Sequence, residues 1–205
     1  IIPRLGLAVV DEQHRFGVEQ RGALTRQKPR PHLLGMSATP IPRTLSLTIY
    51  GDLDITTLKI LPEGRQPITT TLATNQVTKN QAYELVRQQV ARGKQAFVVC
   101  PLIEPSDSIE SASALEELKH LQQGEFKDIR VGLLHGRMKL AEKQDVMERV
   151  RNKQVDVLVA TPVIEVGMDI PNATVMMIMS ANRFGLAQLH QLRGRVGRGE
   201  DESYC

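Results

Sequence analysis

Residues 155–171 read Val155-Asp156-Val157-Leu158-Val159-Ala160-Thr161-Pro162-Val163-Ile164-Glu165-Val166-Gly167-Met168-Asp169-Ile170-Pro171. A strand-like run, Val155–Val159, leads directly into a turn that carries Thr, Gly and Asp. The same grammar recurs outward along the chain, in Leu7–Val10, Leu33–Met36, Phe97–Cys100, Val131–Leu134 and Val175–Met179, each bounded by turn residues. Runs that are apolar throughout, rather than alternating, fit strands buried on both faces of a sheet. Helix-spaced stretches lie between them. Ala82, Leu85, Val86 and Val90 mark one face within 76–92, Leu115, Leu118 and Leu121 another within 114–122, and Val146, Met147 and Val150 a third within 139–151. Strands alternating with helices require crossovers, so the predicted class is α/β with a parallel sheet.

The pattern breaks at Leu61-Pro62-Glu63-Gly64-Arg65-Gln66-Pro67. Residues 1–66 hold only two or three strands and read as the tail of one α/β domain. Residues 67–205 read as most of a second. Pro105 to Ser113, rich in Ser and acidic residues, reads as an exposed loop.

Composition narrows the classes. The 205 residues are 41% hydrophobic and 24% charged, which excludes a disordered chain. Aromatics are 3% with no Trp, so the core is aliphatic and a nucleic-acid grip would use charge and backbone more than stacked rings. The net charge of +3 permits a polyanionic partner without demanding one. The excess lies in 1–66, although three arginines crowd into Arg193–Arg198. Cys100 and Cys205 share no metal-ligand spacing and form no disulfide framework, which reads as reduced thiols in a cytosolic protein. No apolar run approaches the ~20 residues of a membrane span. Ile1-Ile2-Pro3-Arg4 shows no signal peptide, and a start without Met inside an apparent fold is expected of a fragment.

Four constellations carry candidate chemistry. Asp11-Glu12-Gln13-His14 follows a strand directly, at the edge where α/β folds bind ligands. One acid there can hold Mg²⁺ through water while the other polarises an attacking water. The alternative is a polar loop start. Ser37-Ala38-Thr39 also follows a strand and leads into Pro40-Ile41-Pro42 and a helix-like Arg43–Tyr50. It reads as a hydroxyl-bearing hinge beside the acids, or as an ordinary helix cap. In Thr161–Asp169, Gly167 allows close approach of a ligand, and Asp169 can meet a ribose hydroxyl or an arginine. A plain turn is the alternative. Gln191-Leu192-Arg193-Gly194-Arg195-Val196-Gly197-Arg198 is the most specific. If it is helical, Arg195 and Arg198 share a face and can fork onto a γ-phosphate. A basic loop gripping nucleic-acid backbone is the alternative. A smaller signal, His135-Gly136-Arg137-Met138-Lys139, suits phosphodiester contact.

In order and spacing these blocks resemble the motor core of superfamily-two helicases. The likeness extends further, to the RecG family of bacterial branch-migrating DNA helicases. It rests on Asp11-Glu12-Gln13-His14-Arg15-Phe16-Gly17-Val18-Glu19-Gln20-Arg21, Met36-Ser37-Ala38-Thr39-Pro40-Ile41-Pro42-Arg43-Thr44-Leu45, Tyr50-Gly51-Asp52-Leu53-Asp54, Leu134-His135-Gly136-Arg137-Met138-Lys139 and Phe184-Gly185-Leu186-Ala187-Gln188-Leu189-His190-Gln191. The chain also resembles the transcription-repair coupling factor Mfd, which shares the Pro-Ile-Pro-Arg-Thr and Phe-Gly-Leu-Ala-Gln-Leu stretches and could be confused with RecG. His14 and Gly51–Asp54 favour RecG.

The resemblance implies RecA-like domains of the P-loop NTPase type, the first of them truncated here, with ATP and Mg²⁺ in the cleft between two. Asp11 would hold the metal and Glu12 would activate water. His14, Ser37, Thr39 and Gln191 would couple hydrolysis to DNA. Gly167 and Asp169 would face the nucleotide, and Arg195 and Arg198 its γ-phosphate. His135, Gly136, Arg137 and Thr161 would meet the DNA backbone. The implied partner is branched double-stranded DNA, forks and four-way junctions, in the recombination and repair of a bacterial cytoplasm and its nucleoid. The chain contains no Gly-x-x-x-x-Gly-Lys-Ser/Thr loop. The family's N-terminal wedge and the segment after its arginine motif are not in it either. The expectation is therefore a piece of an ATP-dependent helicase, inactive by itself. A non-catalytic DNA-binding module, a nucleotide-sensing domain without ATPase and an Mfd-like translocase are the competing readings.

Overall fold

Gln95–Val99 is buried at all five positions, and its side chains divide between the two faces of a sheet. Phe97 and Val99 join one aliphatic core, whereas Ala96, Val98 and Cys100 join another. A strand can be buried in this way only at the centre of a layered fold. In the computed structural model of this chain the described residues are 5–12, 31–37, 54–58, 65–101, 109–162 and 170–205. They divide into two units, Ile1–Leu58 and Lys59–Cys205.

In the second unit the strands are β3 (Ile68–Thr69), β4 (Gln95–Val99), β5 (Val131–Leu134), β6 (Val157–Ala160), β7 (Ala173–Ile178) and β8 (Ser203–Tyr204). They form one parallel sheet in the order β3-β8-β7-β4-β6-β5. Helices α1 (Gln76–Ala91), α2 (Ile109–Gln123), α3 (Leu140–Arg151) and α4 (Leu186–Arg193) pack on it. Tyr83 and Val86 of α1 and Leu121 of α2 fill the core on one face, and Val146 and Val150 of α3 with Leu192 of α4 fill the other. From β4 the chain runs to the edge at β5, returns to β6, then crosses β4 to reach β7. That reversal beside β4 is a topological switch point, and crevices at the carboxyl ends of such strands bind ligands.

Local chemistry sets the helix ends. Asn75 caps α1 by accepting from the Thr78 N–H at 2.9 Å, and the Asn75 N–H donates back to Thr78 Oγ1 at 3.2 Å. At the amino edge of the sheet, the buried Gln95 side chain donates to the carbonyls of Val150 and Val155, each at 2.7 Å. Cys100 and Cys205 are free thiols, the first buried.

In the first unit β1 (Leu7–Val10) pairs parallel with β2 (His32–Gly35). Here the expectation of strands buried on both faces is corrected: Ala8 and Val10 are buried, but Leu7 and Val9 are 55% and 53% exposed. Among the described residues one face of this pair has no cover. A second correction concerns the loop expected over Pro105–Ser113, because α2 begins at Ile109. Alanines and the Leu115–Leu118–Leu121 spacing carry helix back through serines that composition alone assigns to a loop. The helix expected over Arg43–Tyr50 lies outside the described residues.

Candidate nucleotide and nucleic-acid site

The acid pair sits where β1 ends. Asp11 is exposed and Glu12 half-buried. Glu12 has φ of 49°, the left-handed region that an L-residue enters at a cost of about 1–2 kcal/mol. Its N–H donates to Asp11 Oδ1 at 2.8 Å, which holds this tight turn. Val10 pairs with Gly35, and the Met36 N–H continues the ladder onto the Val10 carbonyl at 2.8 Å. Asp11-Glu12 and Ser37 therefore leave the carboxyl ends of adjacent strands. An exposed carboxylate with a neighbouring acid is a donor set that fits a hard cation keeping most of its water. Among the described residues there is no group of three metal-ligating side chains. His14 and Thr39 lie outside the described residues.

In the second unit His135 leaves β5 and Thr161 leaves β6. Leu134 pairs with Ala160, and the Thr161 N–H donates to the Leu134 carbonyl at 3.1 Å, so the two residues emerge side by side. Thr161 is 1% exposed. Its Oγ1 and the Nδ1 of His135 are buried without a hydrogen-bond partner among the described residues. Buried polar atoms are normally satisfied, so two orphans at one strand edge call for a missing partner.

The chain then turns. The Met138 N–H donates to the His135 carbonyl at 3.2 Å, the His135 N–H meets Met138 Sδ at 3.4 Å, and Lys143 Nζ of α3 donates to the Gly136 carbonyl at 2.5 Å. Gly136 and Arg137 at the tip are exposed. Helix α3 starts at once, its entry capped by Glu142 Oε2 accepting the Lys139 N–H at 2.7 Å. A positive helix end with Arg137 and Lys139 beside it favours an anion. Gly167 and Asp169 lie outside the described residues.

The arginine block differs from expectation. Helix α4 stops at Arg193, with Gly194 as its cap, so Arg195 and Arg198 do not share a helical face. Leu192 and Val196 flank the break, both sunk in the core at 0% and 1% exposure. Between them Gly194 ends the helix in a turn closed by the Arg195 N–H on the Leu192 carbonyl at 2.9 Å. Gly197 then takes φ of +69°, and a Cβ there would stand 2.9 Å from Ile68 Cγ1. Arg195 and Arg198 are half-buried, and Arg198 Nε donates to the Gly194 carbonyl at 3.1 Å. Gln191, also half-buried, is on α4. Gly197 abuts the first residue of β3, and Gly199 abuts the Pro171 carbonyl just ahead of β7. The arginine turn thus passes the amino ends of β3 and β7, on the edge of the parallel sheet opposite the one where His135 and Thr161 leave β5 and β6. The sequence reading missed the clasp on the Gly136 carbonyl, and only the basic run around Arg137 hinted at it.

Residues 78–200 match the model of the helicase conserved C-terminal domain. The ATP-dependent DNA helicase RecG of Synechocystis is 54% identical over 98% of this chain and 24% of its own length. That of Thermotoga maritima is 52% identical over 98% of this chain and 26% of its own. Among solved structures, RecG bound to a three-way DNA junction superposes with a TM-score of 0.74, at 47% identity over 98% of this chain and 25% of that one. The chain spans about a quarter of the length of these relatives. Its parallel α/β sheet is of the RecA-like type, and the chain belongs to the helicase conserved C-terminal domain family.

Proposed function

We propose that this chain is the portion of an ATP-dependent DNA helicase that follows the DNA backbone and answers to the nucleotide, within a protein that remodels branched DNA. The observation that carries the reading is the exposed Gly136-Arg137 tip at the strand edge where His135 Nδ1 and Thr161 Oγ1 are buried without a partner among the described residues. A ring nitrogen bearing its proton and a hydroxyl are both donors, and phosphate oxygens supply the acceptors they lack. Arg137 adds a fixed charge at the same edge.

On the nucleotide side, Asp11 would hold Mg²⁺ and Glu12 would orient and deprotonate the attacking water. ATP bound with that metal supplies the phosphoryl bond whose hydrolysis drives the motor. His14, Ser37, Thr39 and Gln191 would relay the state of that site toward DNA, and Gly167 and Asp169 would border the nucleotide. Arg195 and Arg198 would fork onto the γ-phosphate.

The test is the ATPase of a full-length protein containing these residues, titrated with a three-way junction. Hydrolysis should rise with junction DNA. Arg137→Ala should raise the half-stimulating DNA concentration about tenfold while the maximal rate holds, because one phosphate contact is lost. A half-stimulating concentration unmoved by Arg137→Ala would overturn the assignment of this edge to DNA.

A further inference from the structure

Lys143 occupies the first turn of α3, where a cation opposes the helix dipole. A charge held against a local preference calls for a compensating contact, and Lys143 has one: its Nζ donates to the Gly136 carbonyl at 2.5 Å. We infer that Lys143 is a positioning residue that fixes the orientation of the Gly136–Arg137 peptide for phosphate contact. The inference rests on the proposed DNA role of this turn and deepens it.

The geometry runs through the peptide plane. In a trans peptide the carbonyl oxygen of one residue and the N–H of the next point in opposite directions. Holding the Gly136 oxygen toward α3 therefore turns the Arg137 N–H to the other side. Glycine at 136 would otherwise leave this plane loose, since it enters more backbone conformations than any other residue. The two neighbouring contacts fix the rest of the turn, with the His135 N–H on Met138 Sδ and the Met138 N–H on the His135 carbonyl. Lys143 grips the exposed tip itself. Half-buried, it reaches back along the turn rather than outward. Its effect on DNA would be felt through the tip, not through a phosphate of its own.

The experiment uses a full-length protein containing this chain and measures affinity for a three-way junction across a salt series. Lys143→Met should weaken binding about tenfold, the scale of one charge-assisted hydrogen bond. Lys143→Arg, which keeps a donor of similar reach, should restore most of it. Hydrogen exchange at Arg137 and Met138 should speed in Lys143→Met, with the rest of the sheet unchanged. In the double variant with Arg137→Ala, the losses should be far from additive, because both act through one tip.

Additive losses, with a salt slope lowered by about one for Lys143→Met alone, would mean a direct phosphate contact and would overturn the positioning role. Unchanged affinity in Lys143→Met while Arg137→Ala binds weakly would also overturn it, leaving the DNA role intact. If Arg137→Ala itself binds normally, the underlying DNA reading fails instead.

Discussion

Thr161→Val separates a DNA-binding hydroxyl from a structural one. The hydroxyl is 1% exposed as part of its residue and lacks a partner among the described residues. A buried polar group left unsatisfied costs about 1–3 kcal/mol. Valine keeps the β-branched shape while replacing the hydroxyl by a methyl, so Thr161→Val should raise the stability of the chain by roughly that amount, less any misfit of the methyl. For a unit of this size each kcal/mol is worth ~2–4 °C in Tm. The Thr161 N–H bond to the Leu134 carbonyl is backbone and survives the change. Junction affinity of the full-length protein should move the opposite way, falling by about tenfold or more for one lost hydrogen bond to a charged oxygen. Urea unfolding of the 205-residue chain and fluorescence anisotropy on a labelled junction read the two quantities. A variant destabilised by about 1 kcal/mol or more, with unchanged junction affinity, would refute the reasoning and return Thr161 to the scaffold.

Glu12→Gln in the full-length protein should keep ATP binding while hydrolysis falls by roughly 10²–10⁴-fold, the usual worth of a positioned base; a matching collapse of ATP affinity, measured by equilibrium dialysis, would make Glu12 a ligand-holding residue. Arg198→Ala should cut the maximal ATPase rate by up to about 10³–10⁵-fold, with little recovery in Arg198→Lys because the planar fork is lost. Rescue of Arg198→Ala by saturating DNA would assign this arginine to the DNA backbone instead. Gly197→Ala should destabilise the chain by about 1–3 kcal/mol, from its left-handed backbone together with the Ile68 overlap, as read by urea midpoint; a midpoint within error of the parent would show that the turn relaxes without cost.

The central strands were legible because they are buried on both faces, and burial of that kind writes continuous apolar runs, as in Phe97–Cys100 and Val157–Ala160. Val131–Leu134 and Leu7–Val10 were located to the residue although neither is buried throughout. β3 and β8 were missed because two residues cannot carry a period of two, and their pairing is decided by distant chain. On α1 the apolar spacing pointed to Ala82, Leu85, Val86 and Val90; Val86 is buried and Val90 packs on the core, but the other buried positions are Tyr83 and Gln89. Tyr83 stands edge-on to Phe126 at 5.6 Å, and Gln89 accepts from Thr174, so both are buried through tertiary partners that a helical wheel does not contain. The candidate site was legible as residue types at strand ends. The end of α4 at Arg193 was not, because the spacing of Arg195 and Arg198 reads as helix while Gly194 and the left-handed Gly197 break it.

The two thiols give the chain a pair of chemical clocks. Burial, and then the charge of Glu117, push the Cys100 thiol up to about 12, and burial raises Cys205 as well. Only the thiolate is alkylated, and a free cysteine ionises near pH 8.5. At pH 8 the folded Cys100 is therefore far less ionised than in unfolded chains, of which roughly a quarter carry the thiolate. Its modification by iodoacetamide times the opening of the central strand. Cys205 ends the β8 edge, held by its N–H on the Thr69 carbonyl at 2.9 Å and by the Thr71 N–H on its own carbonyl at 2.8 Å. Its labelling times the fraying of β3 from β8, so a single quench series separates loss of the edge from loss of the sheet.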